Sequence, residues 1–308
     1  KIAPNYDRVF YVPDASRSVA VVSRLLGDKR EKYAQEVRAQ YHEISEKHQA
    51  RKEQIRLIPL AEARSNKVPI EWEGYTPPVP QLLGTRAFQE YPLEELIEYI
   101  DWSPFFKVWE LSGRFPQILG DEKVGEQATE LYQNARALLK RIVNEGLLGA
   151  AASIGIFPAN SVGDDDIELY TDEARLQILT TFRHLRQQTR KNPGRPHRCL
   201  SDFIGPRETG VKDYIGAFTV TAGLGIDEVV EDFEKDQDVY QSIMIKALAD
   251  RLAEALAERM HERIRKDFWG YANQEELPSQ GLTQEKYQGI RPAPGYHACP
   301  DHSLQAEL

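Results

Sequence analysis

The hydrophobic pattern predicts one long helix near the C-terminal end of the chain. Residues 238–269 contain no glycine or proline. Apolar residues recur there at three- and four-residue spacing, which is typical of a helix with one buried face. That face consists of Ile243, Leu248, Leu252, Ala255, Leu256, Met260, Ile264 and Phe268. Gly270 follows where such a helix is expected to end.

The middle of the chain predicts further helices and a group of strands. Helical periodicity predicts a helix over residues 121–144 and a shorter one over 89–100. Short apolar runs predict strands at 153–157, 165–170, 199–204 and 213–222. Because the strands are grouped between helical segments, we predict an α+β fold with a central, mainly antiparallel sheet flanked by helices.

The pattern of the first 58 residues predicts too few strands and helices to enclose a hydrophobic core. Residues 8–12 predict a short strand, and Asp14 or Ser16 is placed to cap the helix that follows. Residues 28–56 lack glycine and proline and carry charges of alternating sign. This pattern predicts an exposed linker helix that ends before Pro59.

Composition and charge narrow the class of function. The 308 residues are 41% hydrophobic and 28% charged, with a formal net charge of −9. An acidic chain argues against a nucleic-acid surface, because phosphate binding needs basic patches. We expect no membrane span, since no apolar run approaches the required length of roughly 20 residues, and no signal peptide. Cys199 and Cys299 form no CxxC pair, so we predict a reduced, cytoplasmic protein.

Residues 290–296, with the sequence IRPAPGY, have the composition of a binding loop. Two prolines exclude a helix interior or a central strand, and Gly295 permits a close approach that a β-carbon would block. Arg291 offers a planar fork of donors for a carboxylate or phosphate, and Tyr296 offers an aromatic face. The alternative is a stiff turn whose arginine pairs with a neighbouring carboxylate.

Three acidic residues are candidates for contact with a cationic group. Asp101 precedes an aromatic cluster and is either a half-buried ligand contact or a helix-capping residue. Asp250 and Glu254 lie four residues apart on one face of the predicted long helix. They form either an acidic patch for a ligand or a solvated face that nearby cations neutralise.

Two other patterns lack a residue that the corresponding binding site would need. Gly223 and Gly225 follow a predicted strand, but Glu228 stands where a dinucleotide-binding fingerprint needs its third glycine. Three potential metal ligands near the C-terminus lack a fourth partner, so no metal site is predicted. They are His297, Cys299 and His302.

Six segments together resemble one protein family. They are YIDWSPFF at 99–106, FPAN at 157–160, LRQQ at 185–188, DYIGAF at 213–218, KALADRLAEA at 246–255 and RPAPGY at 291–296. In order and spacing they resemble the C-terminal, S-adenosylmethionine-binding reactivation domain of cobalamin-dependent methionine synthase, from about residue 59 to the end.

The resemblance implies a division of the chain into three parts. Residues 1–27 would be the last β-α unit of a preceding cobalamin-binding domain, residues 28–58 a helical linker, and residues 59–308 the reactivation domain. That domain is expected to be C-terminally incomplete, because the family continues with later strands that supply an aromatic ligand contact.

The resemblance also implies an activity. The domain would bind S-adenosylmethionine and present its methyl group to reduced cobalamin, within a methyltransferase that moves a methyl group from methyltetrahydrofolate to homocysteine. The implied partners are the cobalamin-binding domain of the same polypeptide and a flavodoxin-like or other flavoprotein electron donor. The alternatives are a free-standing S-adenosylmethionine-dependent methyltransferase of small molecules and a non-enzymatic interaction module.

Residue roles follow from the same resemblance. Asp101 would meet the amino group of the ligand, Arg291 its carboxylate, and the backbone from Ala293 to Tyr296 its adenosine. The implied cofactor-binding residues are Asp101, Glu254, Arg291, Pro292, Ala293, Gly295 and Tyr296. Tyr296 and Asp250 would lie toward the cobalamin. No catalytic side chain is implied, because the cobalt is the nucleophile and the protein positions the methyl donor.

Overall fold

The computed structural model describes residues 9–12, 15–28, 30–54, 56–278, 281–282 and 284–308. The chain divides into two compact units. The first contains Lys1–Ser65 and Gln188–Pro196, and the second contains Asn66–Gln187 and His197–Leu308.

The first unit is helical. Its helices are α1 (Ala15–Leu26), α2 (Arg30–Gln54) and α3 (Leu60–Ser65). The predicted helix over 28–56 is confirmed as α2, which contacts α1. Gln188 is held by a reciprocal pair of bonds: its carbonyl accepts from Ile58 N and its Nε2 donates to Ile58 O, both at 2.9 Å.

The strand predicted over residues 8–12 is wrong for the described residues, because 9–12 form no strand. The backbone there bonds to a side chain instead: Tyr11 N donates to the hydroxyl of Tyr41 at 2.7 Å. Phe10 stacks on Tyr33 with ring centroids 6.1 Å apart. Helix α1 begins at Ala15, so Ser16 lies inside it. Asp14, the other predicted cap, lies outside the described residues.

The second unit contains one five-stranded sheet. Its strands are β1 (Gly84–Phe88), β2 (Gly149–Val162), β3 (Asp166–Tyr170), β4 (Ile178–Arg183) and β5 (Asp213–Leu224). The long strand β2 pairs with β1, β3 and β5, and β4 pairs with β3. Because every pairing is antiparallel and helices flank the sheet, the predicted α+β class is confirmed.

Among the residues of this unit that the structure describes, four named α-helices accompany the sheet, together with shorter segments. The helices are α4 (Trp102–Val108), α5 (Gly125–Glu145), α6 (Ile226–Lys235) and α7 (Val239–Arg263), and α7 continues into a π-helical turn (Ile264–Phe268). The 3₁₀ segments are Leu93–Tyr99, Gln117–Gly120, Leu200–Phe203, Arg207–Thr209 and His302–Ala306. The predicted long helix is therefore confirmed as α7 and its π turn.

The main core lies between the sheet and the helices. Alternate residues of β2 point to one face, and Ala152, Ile154 and Ile156 on that face join the buried apolar residues of α7. A β-carbon at Gly223 would lie 3.0 Å from Cβ of Ala249, so the end of β5 approaches α7 closely. Close packing thus explains a glycine that resembled part of a dinucleotide-binding fingerprint.

The predicted strand over 199–204 is wrong, because Leu200–Phe203 forms a 3₁₀ turn. Asp202 Oδ2 accepts a hydrogen bond from Cys199 N at 3.0 Å and so closes the turn. Asp202 is held in turn by Arg186, which donates to both of its oxygens at 2.7 and 2.8 Å. Arg186 also donates to Asp165 Oδ1 at 2.8 Å, and its side chain is fully buried. A tertiary ion-pair network therefore decides this local structure.

Candidate functional site

The RPAPGY segment forms a tight loop closed by backbone hydrogen bonds. Tyr296 N donates to Ala293 O at 3.1 Å, and Gly295 N donates to Cys299 O at 2.7 Å. Cys299 N returns a bond to Tyr296 O at 3.0 Å. Gly295 has φ of +100°, a conformation that favours glycine. The predicted proline-stiffened loop is confirmed.

A second, smaller core anchors the far end of this loop. Cys299 and Leu304 are buried there against Ala159, Ile167 and Phe182. Outside the core, Gln187 Nε2 donates to His297 O at 2.6 Å. The loop is therefore fixed to the sheet through its C-terminal half.

Arg291, at the start of the loop, is paired with a carboxylate of α7. Its Nη2 donates to Oε1 of Glu258 in a short contact. The Arg291 side chain is 24% exposed and the Glu258 side chain 16% exposed. The sequence left open whether Arg291 serves a ligand or pairs with a neighbouring acid, and the structure shows that it pairs with Glu258.

Beneath this pair lies a buried network around Arg265. Arg265 is fully buried and forms a two-point ion pair with Glu275. Its Nη1 donates to Nδ1 of His261 at 2.8 Å, so the imidazole accepts at Nδ1. The guanidinium also lies 4.4 Å from the ring centroid of Tyr287, which meets His261 edge-on at 4.6 Å.

This network keeps His261 neutral. Burial, followed by the nearby charges of Arg265 and Arg291, lowers the pKa of His261 to about 3. Burial also raises the pKa of Tyr287, against the opposing effect of Arg291. The floor of the site therefore contains an uncharged imidazole and an un-ionised phenol at neutral pH.

Asp101 lies at the N-terminus of α4. Its Oδ1 accepts a hydrogen bond from Ser103 N at 2.9 Å, which caps the helix. In the described part of the chain, Oδ2 accepts no hydrogen bond. The capping role that the sequence allowed is confirmed, and one carboxylate oxygen is still able to accept a donor from a ligand.

The segment before Asp101 is tied to α7. The hydroxyl of Tyr99 donates to Glu262 Oε2 at 2.5 Å, and Arg259 Nη1 donates to the same oxygen at 3.0 Å. Burial alone would raise the pKa of Glu262, but the hydrogen bonds from Tyr99 and Arg259 lower it below its usual value. Glu262 lies one helical turn after Glu258, so neighbouring turns of α7 hold Arg291 and Tyr99, which stands two residues before Asp101.

The other predicted residues lie on the surface. Asp250 and Glu254 are exposed on α7, about two turns and one turn before Glu258, respectively. Tyr296 is 69% exposed. Within the described residues, no hydrogen bond joins Asp101, Asp250 or Glu254 to Arg291. The three acidic candidates are therefore not bonded to the arginine of the loop.

Sequence reasoning missed the carboxylate that pairs with Arg291 and the members of the buried network around Arg265. They are Glu258, His261, Arg265, Glu275 and Tyr287. Glu258, His261 and Arg265 follow Glu254 at spacings of four, three and four residues, which places them on one face of a helix. This periodicity was available from the sequence, but the partner of each side chain was not.

Two further observations bear on other kinds of site. Over the ranges that the structure describes, no group of three or more histidine, cysteine or acidic side chains is arranged to hold a metal ion. Within the same ranges, no helix combines the length and apolar character needed to cross a membrane.

Comparisons with known proteins place the chain in a family. The family model described as "Vitamin B12 dependent methionine synthase, activation domain" matches residues 92–308. A solved structure described as "Crystal Structure of the MetH Reactivation Domain bound to AdoHcy" shares 49% sequence identity with the chain, at a TM-score of 0.78. That match covers 82% of this chain and 76% of the other. The chain therefore belongs to the activation domains of vitamin B12-dependent methionine synthase.

Proposed function

We propose that this chain binds S-adenosylmethionine at the RPAPGY loop and presents its methyl group to reduced cobalamin for reductive remethylation. The observation that carries this proposal is Arg291, whose guanidinium is fixed at the start of the loop, in a chain 49% identical to a domain bound to AdoHcy. AdoHcy, S-adenosylhomocysteine, is S-adenosylmethionine without its methyl group, so the same contacts serve both molecules.

The amino acid group of the ligand carries a carboxylate and an ammonium group. Arg291 contacts Glu258 through Nη2, which leaves Nε and Nη1 to meet the carboxylate. The uncapped oxygen of Asp101 accepts from the ammonium group. Arg291 and the segment just before Asp101 are both bonded to α7, through Glu258 and Glu262, so a rigid element limits their separation.

The adenosine binds along the loop backbone. The N–H groups of Gly295 and Tyr296 are used within the loop, whereas Ala293 N donates to no backbone carbonyl of the described residues. Ala293 N–H is therefore the donor that the loop offers to adenosine. Pro292 offers an apolar surface beside it, and Gly295 allows the backbone to approach closely.

Exposed side chains of this chain are accessible to cobalamin, which another domain carries. Tyr296 offers an accessible aromatic face to the flat macrocycle of cobalamin, and Asp250, likewise exposed, is assigned to the cobalamin-facing surface of α7. Exposed Glu254 adds negative charge for the sulfonium. When bound, cobalamin supplies the nucleophile that accepts the methyl group. The residues of this chain bind and orient the methyl donor.

The wider assignment follows from the family. The cobalamin is held mainly by a cobalamin-binding domain of the same polypeptide, and a flavodoxin-like protein or other flavoprotein supplies the electron. The complete enzyme transfers a methyl group from methyltetrahydrofolate to homocysteine in the cytoplasm.

Calorimetric titration of the chain with S-adenosylmethionine and S-adenosylhomocysteine tests the proposal. Saturable binding at one site, lost in Arg291→Ala, is the expected result. Methyl transfer is then measured with reduced cobalamin present and absent. Transfer to a small molecule without cobalamin would favour a free-standing methyltransferase, and absence of binding by the folded chain would favour an interaction module.

A further inference from the structure

The ion pair between Arg291 and Glu258 is asymmetric. Glu258 Oε1 accepts from Arg291 Nη2, whereas Glu258 Oε2 is buried and accepts no hydrogen bond within the described residues. Oε2 is thus shielded from solvent, and Oε1 is already engaged by Arg291. Glu258 therefore acts on a ligand indirectly.

We propose that Glu258 is the positioning residue of the site. It holds Arg291 by one nitrogen and so directs the remaining donors, Nε and Nη1, toward the carboxylate of the ligand. The guanidinium is planar, so fixing Nη2 limits where the other donors point. This inference rests on the proposed function and extends it by naming the residue that sets the carboxylate contact.

The negative charge of Glu258 also offsets the repulsion between two neighbouring arginines. Arg265 and Arg291 both lower the pKa of His261, which places two guanidinium groups around one imidazole. Glu275 neutralises Arg265, and Glu258 neutralises Arg291. Without the charge of Glu258, repulsion from Arg265 would favour rotation of Arg291 toward solvent.

The surroundings restrain this arrangement. Arg265 is held at once by Glu275, by His261 and against the ring of Tyr287. Over the described residues, Glu258 is the one carboxylate that pairs with Arg291, and Tyr287 is a neutral neighbour of the same guanidinium. Glu258 is therefore the charged side chain on which the orientation of the fork depends.

The test compares two ligands that differ in the amino acid group. Titrations use S-adenosylhomocysteine and 5′-deoxy-5′-methylthioadenosine, which keeps the nucleoside and sulfur but has no carboxylate. We expect Glu258→Gln to weaken S-adenosylhomocysteine binding about tenfold, or about 1.4 kcal/mol, and to leave methylthioadenosine affinity unchanged. A purely structural role would weaken both ligands equally.

A double-mutant cycle gives an independent readout. If Glu258 acts through Arg291, adding Glu258→Gln to Arg291→Ala causes no further loss of S-adenosylhomocysteine affinity. The matched control is Glu145→Gln, which removes a carboxylate from an exposed pair with Arg141 on α5 and leaves affinity unchanged. Circular dichroism and urea unfolding verify that each variant is folded.

The outcomes separate this inference from the function on which it rests. A folded wild-type chain that binds neither ligand overturns the proposed function, and the inference with it. Normal wild-type binding with equal or tighter binding by Glu258→Gln overturns the inference alone. Equal weakening toward both ligands, or full additivity in the cycle, also overturns it.

Discussion

The imidazole ring of His302 occupies the space that a side chain at position 295 would need. A β-carbon built on Gly295 would lie 2.3 Å from Cε1 and 2.6 Å from Nε2 of His302. The turn that carries Gly295 and the 3₁₀ segment that carries His302 are therefore packed backbone against ring. The RPAPGY loop keeps its shape through this contact as well as through its prolines.

Gly295→Ala tests this packing. We expect a loss of about 2–4 kcal/mol in the free energy of unfolding, because alanine meets both an unfavourable φ and a steric overlap. Urea unfolding measures the loss. Gly84→Ala is the matched control, since Gly84 has φ of +86° and no atom within 4 Å of the added carbon. Equal losses at the two positions would argue against the contact with His302.

Arg291→Ala tests the carboxylate contact. We expect S-adenosylmethionine binding to weaken by about 2–4 kcal/mol, because the ligand carboxylate is left unpaired. Arg291→Lys should restore only part of this loss, since lysine keeps the charge but lacks the planar fork. Calorimetric titration measures both. Arg141→Ala, which removes an arginine from an exposed pair, is the control, and unchanged affinity in Arg291→Ala would remove Arg291 from the site.

Arg186→Met tests the buried network that shapes the turn at Leu200–Phe203. We expect destabilisation of about 3–5 kcal/mol, because the buried carboxylates of Asp165 and Asp202 lose the guanidinium that pairs with them. Arg141→Met breaks an exposed pair and should cost less than about 1 kcal/mol. Urea unfolding compares the two variants, and a similar small loss in both would contradict the role of Arg186.

The lowered pKa values of two buried histidines predict that the stability of the protein depends on pH. Burial lowers the pKa of His184 to about 4, and burial together with Arg265 and Arg291 lowers that of His261 to about 3. Both folded-state values lie below the usual 6.5, so the unfolded chain takes up protons first as the pH falls. The two histidines make their full contribution to the free energy of unfolding above about pH 6.5. This contribution is lost as the pH falls toward 4 for His184 and toward 3 for His261.

Unfolding at pH 8 and pH 5 measures this effect. Each histidine should account for roughly 2 kcal/mol of the lost stability between the two values. His184→Asn should reduce the difference between pH 8 and pH 5, although it lowers stability at pH 8 as well. A variant with the same difference as the wild type would show that other groups cause the acid sensitivity.

Local patterns determined much of the fold before any tertiary contact was known. The helix α7 was predictable because its apolar spacing and its lack of glycine and proline are properties of one continuous segment. The strands β2, β3 and β5 were predictable from short apolar runs in the same way. By contrast, β1 and β4 were missed, because both lie at edges of the sheet and expose many of their side chains.

In the candidate site too, some features follow from the local sequence and others only from tertiary contacts. The sequence alone determined that residues 290–296 form a stiff loop bearing an arginine fork, because prolines and glycine restrict the backbone locally. Only the tertiary structure decided that Glu258 holds this fork, that Arg265 lies beneath it and that Asp202 closes a turn rather than extending a strand. Ion pairs join residues far apart in the chain, and the energy of such a pair depends on a distance and a burial that exist only after folding.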